Sequence, residues 1–139
     1  MILLDTNIVS ELMRAAPEPR VVAWLDAQPE ADIWISAVTV GEIHLGIALL
    51  PDGQRKQRLA DLAEAMIEED FSDKCLSYDS LAAADYANIV AARSRLGRPI
   101  SVEDAQIAAI ARSAGLALAT RNTKDFAGIA ELPVVNPWK

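Results

Sequence analysis

Ser101–Asp125, SVEDAQIAAIARSAGLALATRNTKD, reads as a helix, a strand and a polar turn in immediate succession. Ser101 followed three residues later by Asp104 has the form of a capping box. Apolar residues continue to about Ala114, and Gly115 supplies the residue on which helices commonly end. Leu116–Thr120 then follows as a strand, apolar on both sides. A strand without a polar face belongs inside a sheet covered by helices above and below, the usual setting of parallel strands. The unit predicts an α/β fold.

Outward from that unit the alternation repeats. Ile2–Leu4 reads as a short buried strand, with Asp5, Thr6 or Asn7 capping a helical turn over Asn7–Met13. Pro17 and Pro19 punctuate the chain before a helix over Arg20–Ala27. Ile33–Ile35 is the second expected strand and Val38–Leu50 the next helix, closed by the turn Pro51-Asp52-Gly53. A longer amphipathic helix is expected from about Gln54 to Glu69, with Leu59, Leu62, Ala63 and Met66 at helical spacing. Cys75–Tyr78 is the third strand, Ser80–Leu96 an Ala-rich helix stopped by Gly97 and Pro99, and Val134–Val135 a fifth strand at the sheet edge. No repeat, low-complexity tract or linker interrupts the 139 residues, so one domain over 1–139 is expected.

Composition narrows the function. At 52% apolar and 5% aromatic, the core must be built mostly of Ala, Leu, Ile and Val. One cysteine excludes an internal disulfide, and one histidine beside it argues against zinc. MILLDTN carries no basic leader, and no apolar run approaches the roughly 20 residues that span a bilayer, so no membrane role is expected and the cytoplasm is the expected compartment. A net charge of −7 is unlike a nucleic-acid binder, unless part of the acid is sequestered around cations.

The acids carry the chemistry. Asp5 closes the run Met1–Leu4, Glu42 interrupts Val38–Leu50, Asp104 opens Ala105–Ala111, and Asp125 follows the fourth strand. Each has a bland role available. Asp5 can cap a helix, Ser101–Asp104 and Asn122–Asp125 both have the capping-box form, and Glu42 can reach an exposed edge of its helix. Together they point elsewhere. Ligands of parallel sheets bind beyond the carboxyl ends of the strands, where Asp5 and Thr120–Asp125 lie. Carboxylates within about 4 Å repel by about 4 kcal/mol per pair at an effective dielectric near 20, so a cluster holds either protons or a cation. Oxygen ligands without His or Cys select Mg²⁺ or Mn²⁺, whose usual work is phosphoryl chemistry.

The remaining candidates are weaker. Arg55, Lys56 and Arg58, then Arg93, Arg95 and Arg98, then Arg121 and Lys124 form basic clusters that suit either a solvated helix face or a phosphate backbone. His44 lacks zinc-protease spacing to Glu42 and reads as a surface histidine. Trp24, Trp34 and Trp138 read as packing residues rather than base-stacking ones, and Cys75 as a buried, inert thiol.

The segments LLDTNIVSEL, SAVTVGEIHLGI, SVEDAQIAAIA and ALATRNTKDFAGI, in that order and over nearly the whole chain, resemble PIN-domain ribonucleases of the VapC and FitB-like toxins. The resemblance implies a PIN-like three-layer α/β/α fold with a short, mainly parallel central sheet. It carries Asp5, Glu42 and Asp104 over as metal-site acids, with Asp5 and Asp104 the firmest ligands. The fourth acid falls on Asp125, while Asn122 stands where some relatives carry an acid; Thr6 and Thr120 line the same site. The implied activity is Mg²⁺- or Mn²⁺-dependent endoribonuclease cleavage, in which an activated water attacks the phosphate in line and leaves a 5′-phosphate. Arg55, Lys56, Arg58, Arg93, Arg95 and Arg121 are candidate RNA contacts. Implied partners are a second copy of the chain and an antitoxin inserting its C-terminal segment into the acidic groove, with DNA met only through that antitoxin. Two rivals stand beside this: a non-catalytic PIN module that only binds partners, and a small Mg²⁺-dependent phosphatase. Asn7 takes the place of the second Asp that one phosphatase class needs, and Leu116–Thr120 offers no Lys for a receiver-type pocket.

Overall fold

The computed structural model describes residues 1–139. Five strands, β1 (Ile2–Leu4), β2 (Ile33–Ser36), β3 (Cys75–Leu76), β4 (Ala117–Ala119) and β5 (Val134–Val135), form one sheet in the order β3-β2-β1-β4-β5. Every pairing is parallel, with Leu3 opposite Trp34 on one side and Leu118 on the other. Around it lie α1 (Thr6–Leu12), α2 (Pro19–Asp26), α3 (Ala37–Ala48), α4 (Gln54–Ala65), α5 (Ser80–Arg95) and α6 (Val102–Ser113).

Strand alternation divides the core into two layers. Leu3 and Leu118 point to one face, where they pack with Ile89 of α5 and with Ile107, Ala108 and Ala111 of α6. Leu4 and Ala119 point to the other, against Ile8 and Val9 of α1, Val21 of α2, Ile43 of α3 and Ala63 of α4. This is the expected three-layer α/β/α sandwich. The alanines of α6 let it approach α5 closely, and a two-pronged ion pair ties the two helices: Arg112 Nε and Nη2 donate to the Asp85 carboxylate at 2.8 and 2.7 Å. No helix is long and apolar enough to cross a membrane.

The deciding stretch folds nearly as its sequence dictates. Ser101 Oγ accepts from Asp104 N at 3.2 Å, the forward half of a capping box. At the other end Gly115, with φ +74°, lets Gly115 N reach Arg112 O and Leu116 N reach Ala111 O, which satisfies two carbonyls of the last turn. Three details depart from expectation. The helix expected to run to Glu69 leaves the α form at Ala65 and widens into a π turn over Met66–Asp70, where Phe71 N reaches back to Met66 O and the Phe71 ring enters the core. The third strand stops at Leu76, because beyond it the chain turns into the cap of α5 at Asp79. Cys75 is exposed rather than buried, since β3 is an edge strand; local desolvation nonetheless pushes its thiol up, in keeping with an inert sulfur.

Candidate metal centre

The chain runs from β1 outward to β2 and β3, then returns to lay β4 and β5 on the opposite side of β1. The strand order therefore reverses between β1 and β4, the crevice where parallel sheets open a ligand site. Asp5 leaves β1 at this point and Thr120 leaves β4.

Asp5 caps α1 and lines the crevice at once. Its Oδ1 accepts from Thr6 N at 2.8 Å, while Oδ2 accepts from Thr120 Oγ1 at 2.7 Å and Asn7 Nδ2 at 3.2 Å. Burial raises its pKa; the hydrogen bonds from Thr120, Thr6 and Asn7 oppose that rise, and the charge of Asp125 adds to it. Glu42, half-buried on α3, accepts from Thr6 Oγ1 at 2.7 Å. Behind it a relay of hydroxyls runs into the core. Thr6 gives its only proton to Glu42, so Thr39 donates to Thr6 at 3.0 Å and Ser36 donates to Thr39 at 3.4 Å. Thr39 and Ser36 are fully buried, so the direction of this relay is set and so is the Glu42 rotamer.

Asp104 opens α6 and lines the same cleft as Asp5, Thr6, Glu42 and Asn122. Its carboxylate does not return to Ser101 N to complete the capping box. Burial first, and then the negative charge of Asp5, push its pKa up to about 6, with smaller contributions from Asp125 and Glu42 and an opposing one from the Ser101 hydroxyl. Asp125 lies on the short 3₁₀ turn Thr123–Phe126, exposed and set back from the cleft lining, yet near enough for its charge to raise both Asp5 and Asp104. Asn122 caps that turn without a side-chain bond, so the second capping box is not made.

Four residues of the cleft were not assigned to it by the sequence reading, which weighed Asn7 only as a helix cap and against a phosphatase motif. Asn7, Ser10, Glu11 and Arg14 lie at i, i+3, i+4 and i+7, one stripe of α1 and the turn that follows it. That spacing was visible in the sequence; what hid it was the apolar look of the helix around it. Glu11 is buried, and its carboxylate accepts from Glu18 N at 2.9 Å and from Arg14 Nη1 at 3.0 and 3.2 Å. The Glu18 amide and then Arg14 hold its pKa below the ordinary range, so it stays ionised.

The basic candidates divide. Arg55 and Arg58 are exposed and border an apolar groove that adjoins the cleft and shares Ser10, Arg14 and Glu42 with it. Lys56 is engaged by Asp52 at 3.2 Å and by Ala48 O at 3.3 Å. Arg95 is exposed, and Arg121 is exposed above the Trp138 ring. Arg93 is a correction to the sequence reading: it is 5% exposed, and its guanidinium donates to Arg98 O and Asp125 O, both at 2.8 Å, and to Ala127 O at 3.4 Å. It anchors a loop and has no surface to offer RNA. His44 is exposed as expected, and the three tryptophans pack against the core.

The donor set suits a hard divalent cation. No three acids or histidines are grouped tightly enough to enclose an ion between them. An ion here would keep part of its water shell and lean on one or two carboxylates, the habit of Mg²⁺ rather than of Ca²⁺. Without a cation, Asp5, Glu42 and Asp104 face the cleft with no ion-pair partner. Asp104 binds a proton more tightly folded, at about 6, than unfolded, near its ordinary 3.8. Its contribution to stability is therefore full below pH 3.8 and falls as pH rises towards 6. After allowance for its partial exposure, the metal-free protein should lose about 1 kcal/mol across that window relative to Asp104→Asn. Urea unfolding of both proteins in chelator at pH 4.5 and 7 measures the difference; parallel pH profiles would refute it.

Residues 2–132 match the PIN domain family. The chain is 44% identical to the toxin FitB of Neisseria gonorrhoeae over 99% of both chains, and 37% identical to the VapC ribonuclease Y4jK of Sinorhizobium fredii over 100% of this chain and 99% of that one. Among solved structures it superposes on FitAB bound to an IR36 DNA fragment with a TM-score of 0.92 at 42% identity, covering 100% of this chain and 96% of the other. With fold, strand order and site acids arranged as described, the chain belongs to the PIN-domain family, within its FitB- and VapC-like branch.

Proposed function

We propose that this chain, residues 1–139 acting as one PIN domain in the cytoplasm, is the toxin of a type II toxin–antitoxin pair and an endoribonuclease dependent on Mg²⁺ or Mn²⁺. The observation that carries the reading is the meeting of Asp5, Glu42 and Asp104 at the β1–β4 switch point, close enough that the charge of Asp5 raises Asp104. Asp5 and Asp104 would hold the ion, with Glu42 and Asp125 completing the acidic field and Asn122 at its rim. When bound, a divalent cation supplies charge neutralisation at the scissile phosphate and acidifies water near neutral pH. The chain's own part is positional. Thr120 and Asn7 fix the Asp5 carboxylate, and the Ser36–Thr39–Thr6 relay fixes Glu42. The names of the FitB and VapC relatives support the assignment.

The partner reading rests on the same cleft. An antitoxin segment carrying an Arg would complete the acidic pocket, while its apolar residues would enter the adjoining groove of Met13, Ile43, Ile47 and Leu59. DNA would then be met through that antitoxin, and a homodimer is the proposed free form. Incubating the purified chain with 3′-labelled RNA, whose labelled product carries the new 5′ end, tests the activity. Cleavage in Mg²⁺ that leaves 5′-phosphates and stops in chelator is expected; cleavage indifferent to chelator would overturn the metal assignment.

A further inference from the structure

A second hollow, opposite in sign, adjoins the acidic cleft. It is framed by the start of α2, the turn after β4 and the C-terminal residues, and meets the cleft at Asn122. Its lining carries Arg20, Arg121, Lys124 and Lys139 against one acid, Glu18. The three ion pairs of the structure are Arg14–Glu11, Lys56–Asp52 and Arg112–Asp85, so none of these four cations lies within ion-pair distance of a carboxylate, although the charge of Arg121 still reaches Glu11. In a chain of net charge −7 such a concentration is conspicuous.

The hollow is also built. The Arg121 guanidinium carbon lies 5.1 Å from the centroid of the Trp138 ring, and Arg20 Nη1 donates to Trp138 O at 3.3 Å. Asn136 holds the turn from both sides: its Nδ2 donates to Arg121 O at 3.5 Å, and its Oδ1 accepts from Trp138 N at 2.9 Å. Arg121 N donates to Asn7 Oδ1 at 3.3 Å, and Asn7 Nδ2 donates to Asp5 Oδ2 at 3.2 Å. One asparagine thus couples the basic platform to the acid at the centre of the cleft.

We propose that this hollow binds the phosphate backbone of single-stranded RNA on one side of the cleavage point, with Arg20, Arg121 and Lys124 as phosphate contacts and the Arg121–Trp138 stack as a platform for a base. The inference deepens the nuclease reading and rests on it for the identity of the ligand. The physical need is plain. A cleft in which Asp5, Glu42 and Asp104 have no ion-pair partner, Glu11 alone being paired with Arg14, repels a polyanion, so neighbouring phosphates must be held by cations beside it. Guanidinium planes and aromatic rings stack unpaired bases without demanding a sequence.

The test is binding without cleavage: a fluorescein-labelled mixed-sequence RNA of about 12 nucleotides, titrated in chelator across a range of salt. Arg121→Gln/Lys124→Gln should raise Kd roughly tenfold and flatten the plot of log K against log salt by about 1.4, near 0.7 for each lost phosphate contact. Arg98→Gln, an exposed charge outside both hollows, should change neither. An unchanged Kd and slope in the double variant, or no RNA binding by the parent chain, overturns the proposal. So does an affinity loss seen only with a polyglutamate peptide, which would give the hollow to an acidic protein segment. Cleavage is measured separately in Mg²⁺. A chain that binds RNA here yet never cuts it refutes the nuclease reading alone, and one that cuts RNA while the double variant binds normally refutes the hollow alone.

Discussion

Asp104→Asn is expected to abolish metal-dependent RNA cleavage, lowering the rate by at least about 1,000-fold, or about 4 kcal/mol of transition-state stabilisation. The substitution is nearly isosteric. It leaves the backbone bond from Asp104 N to Ser101 Oγ in place, so α6 should still start where it does. What it removes is one of the two cleft carboxylates proposed to hold an ion at the switch point. It also removes the group whose pKa is pushed up to about 6, so the variant should unfold no more easily than the parent at pH 7. Mg²⁺ should raise the melting temperature of the parent and leave the variant unmoved, because only the parent retains the full site. A well-folded Asp104→Asn protein that still cleaves RNA at the parental rate would remove the acid from the reaction.

The second large effect concerns stability. Arg93→Leu should cost about 3 kcal/mol, because three backbone carbonyls lose a charged donor in a place water barely reaches. The guanidinium is what makes the anchor possible. Its fork spans Arg98 O on one side and Asp125 O with Ala127 O on the other, so Arg93→Lys should recover only part of the loss. Urea midpoints at constant m-value measure both. Because the anchored segment carries Asp125, Arg93→Leu should also shift the metal response. A loss below about 1 kcal/mol would show that the loop holds itself without the arginine.

Much of this molecule was legible before any coordinates. The order of strands and helices follows from short runs apolar on both faces, from Gly115, and from caps such as Asp5 and Ser101. Such signals are local, acting over a few residues of chain. The acids were legible for a related reason: a carboxylate beside a buried strand is anomalous in burial energy wherever the fold places it. Local form misled where two roles share one residue. Asp5 is both an N-cap and a cleft acid, and Ser101–Asp104 makes half of a capping box while its carboxylate faces the cleft. Arg93 looked like its neighbour Arg95, because a helix sequence does not say which of its arginines a distant loop will cover.

The sequence by itself determined the alternating elements, the α/β class, the acidic residues that could serve as oxygen ligands and, through its resemblance, the PIN family. Only the tertiary structure decided that β1 and β4 lie side by side, that Asn7 and Glu11 belong to the site, that Asn122 rather than Asp125 lines it, and that an unpaired basic hollow stands next to it. The division has one cause. Propensity and apolar periodicity act between residues close in sequence, whereas charge and hydrogen bonding at a site act between residues more than 100 positions apart, such as Thr120 and Asp5, which only the packed sheet brings within 2.7 Å.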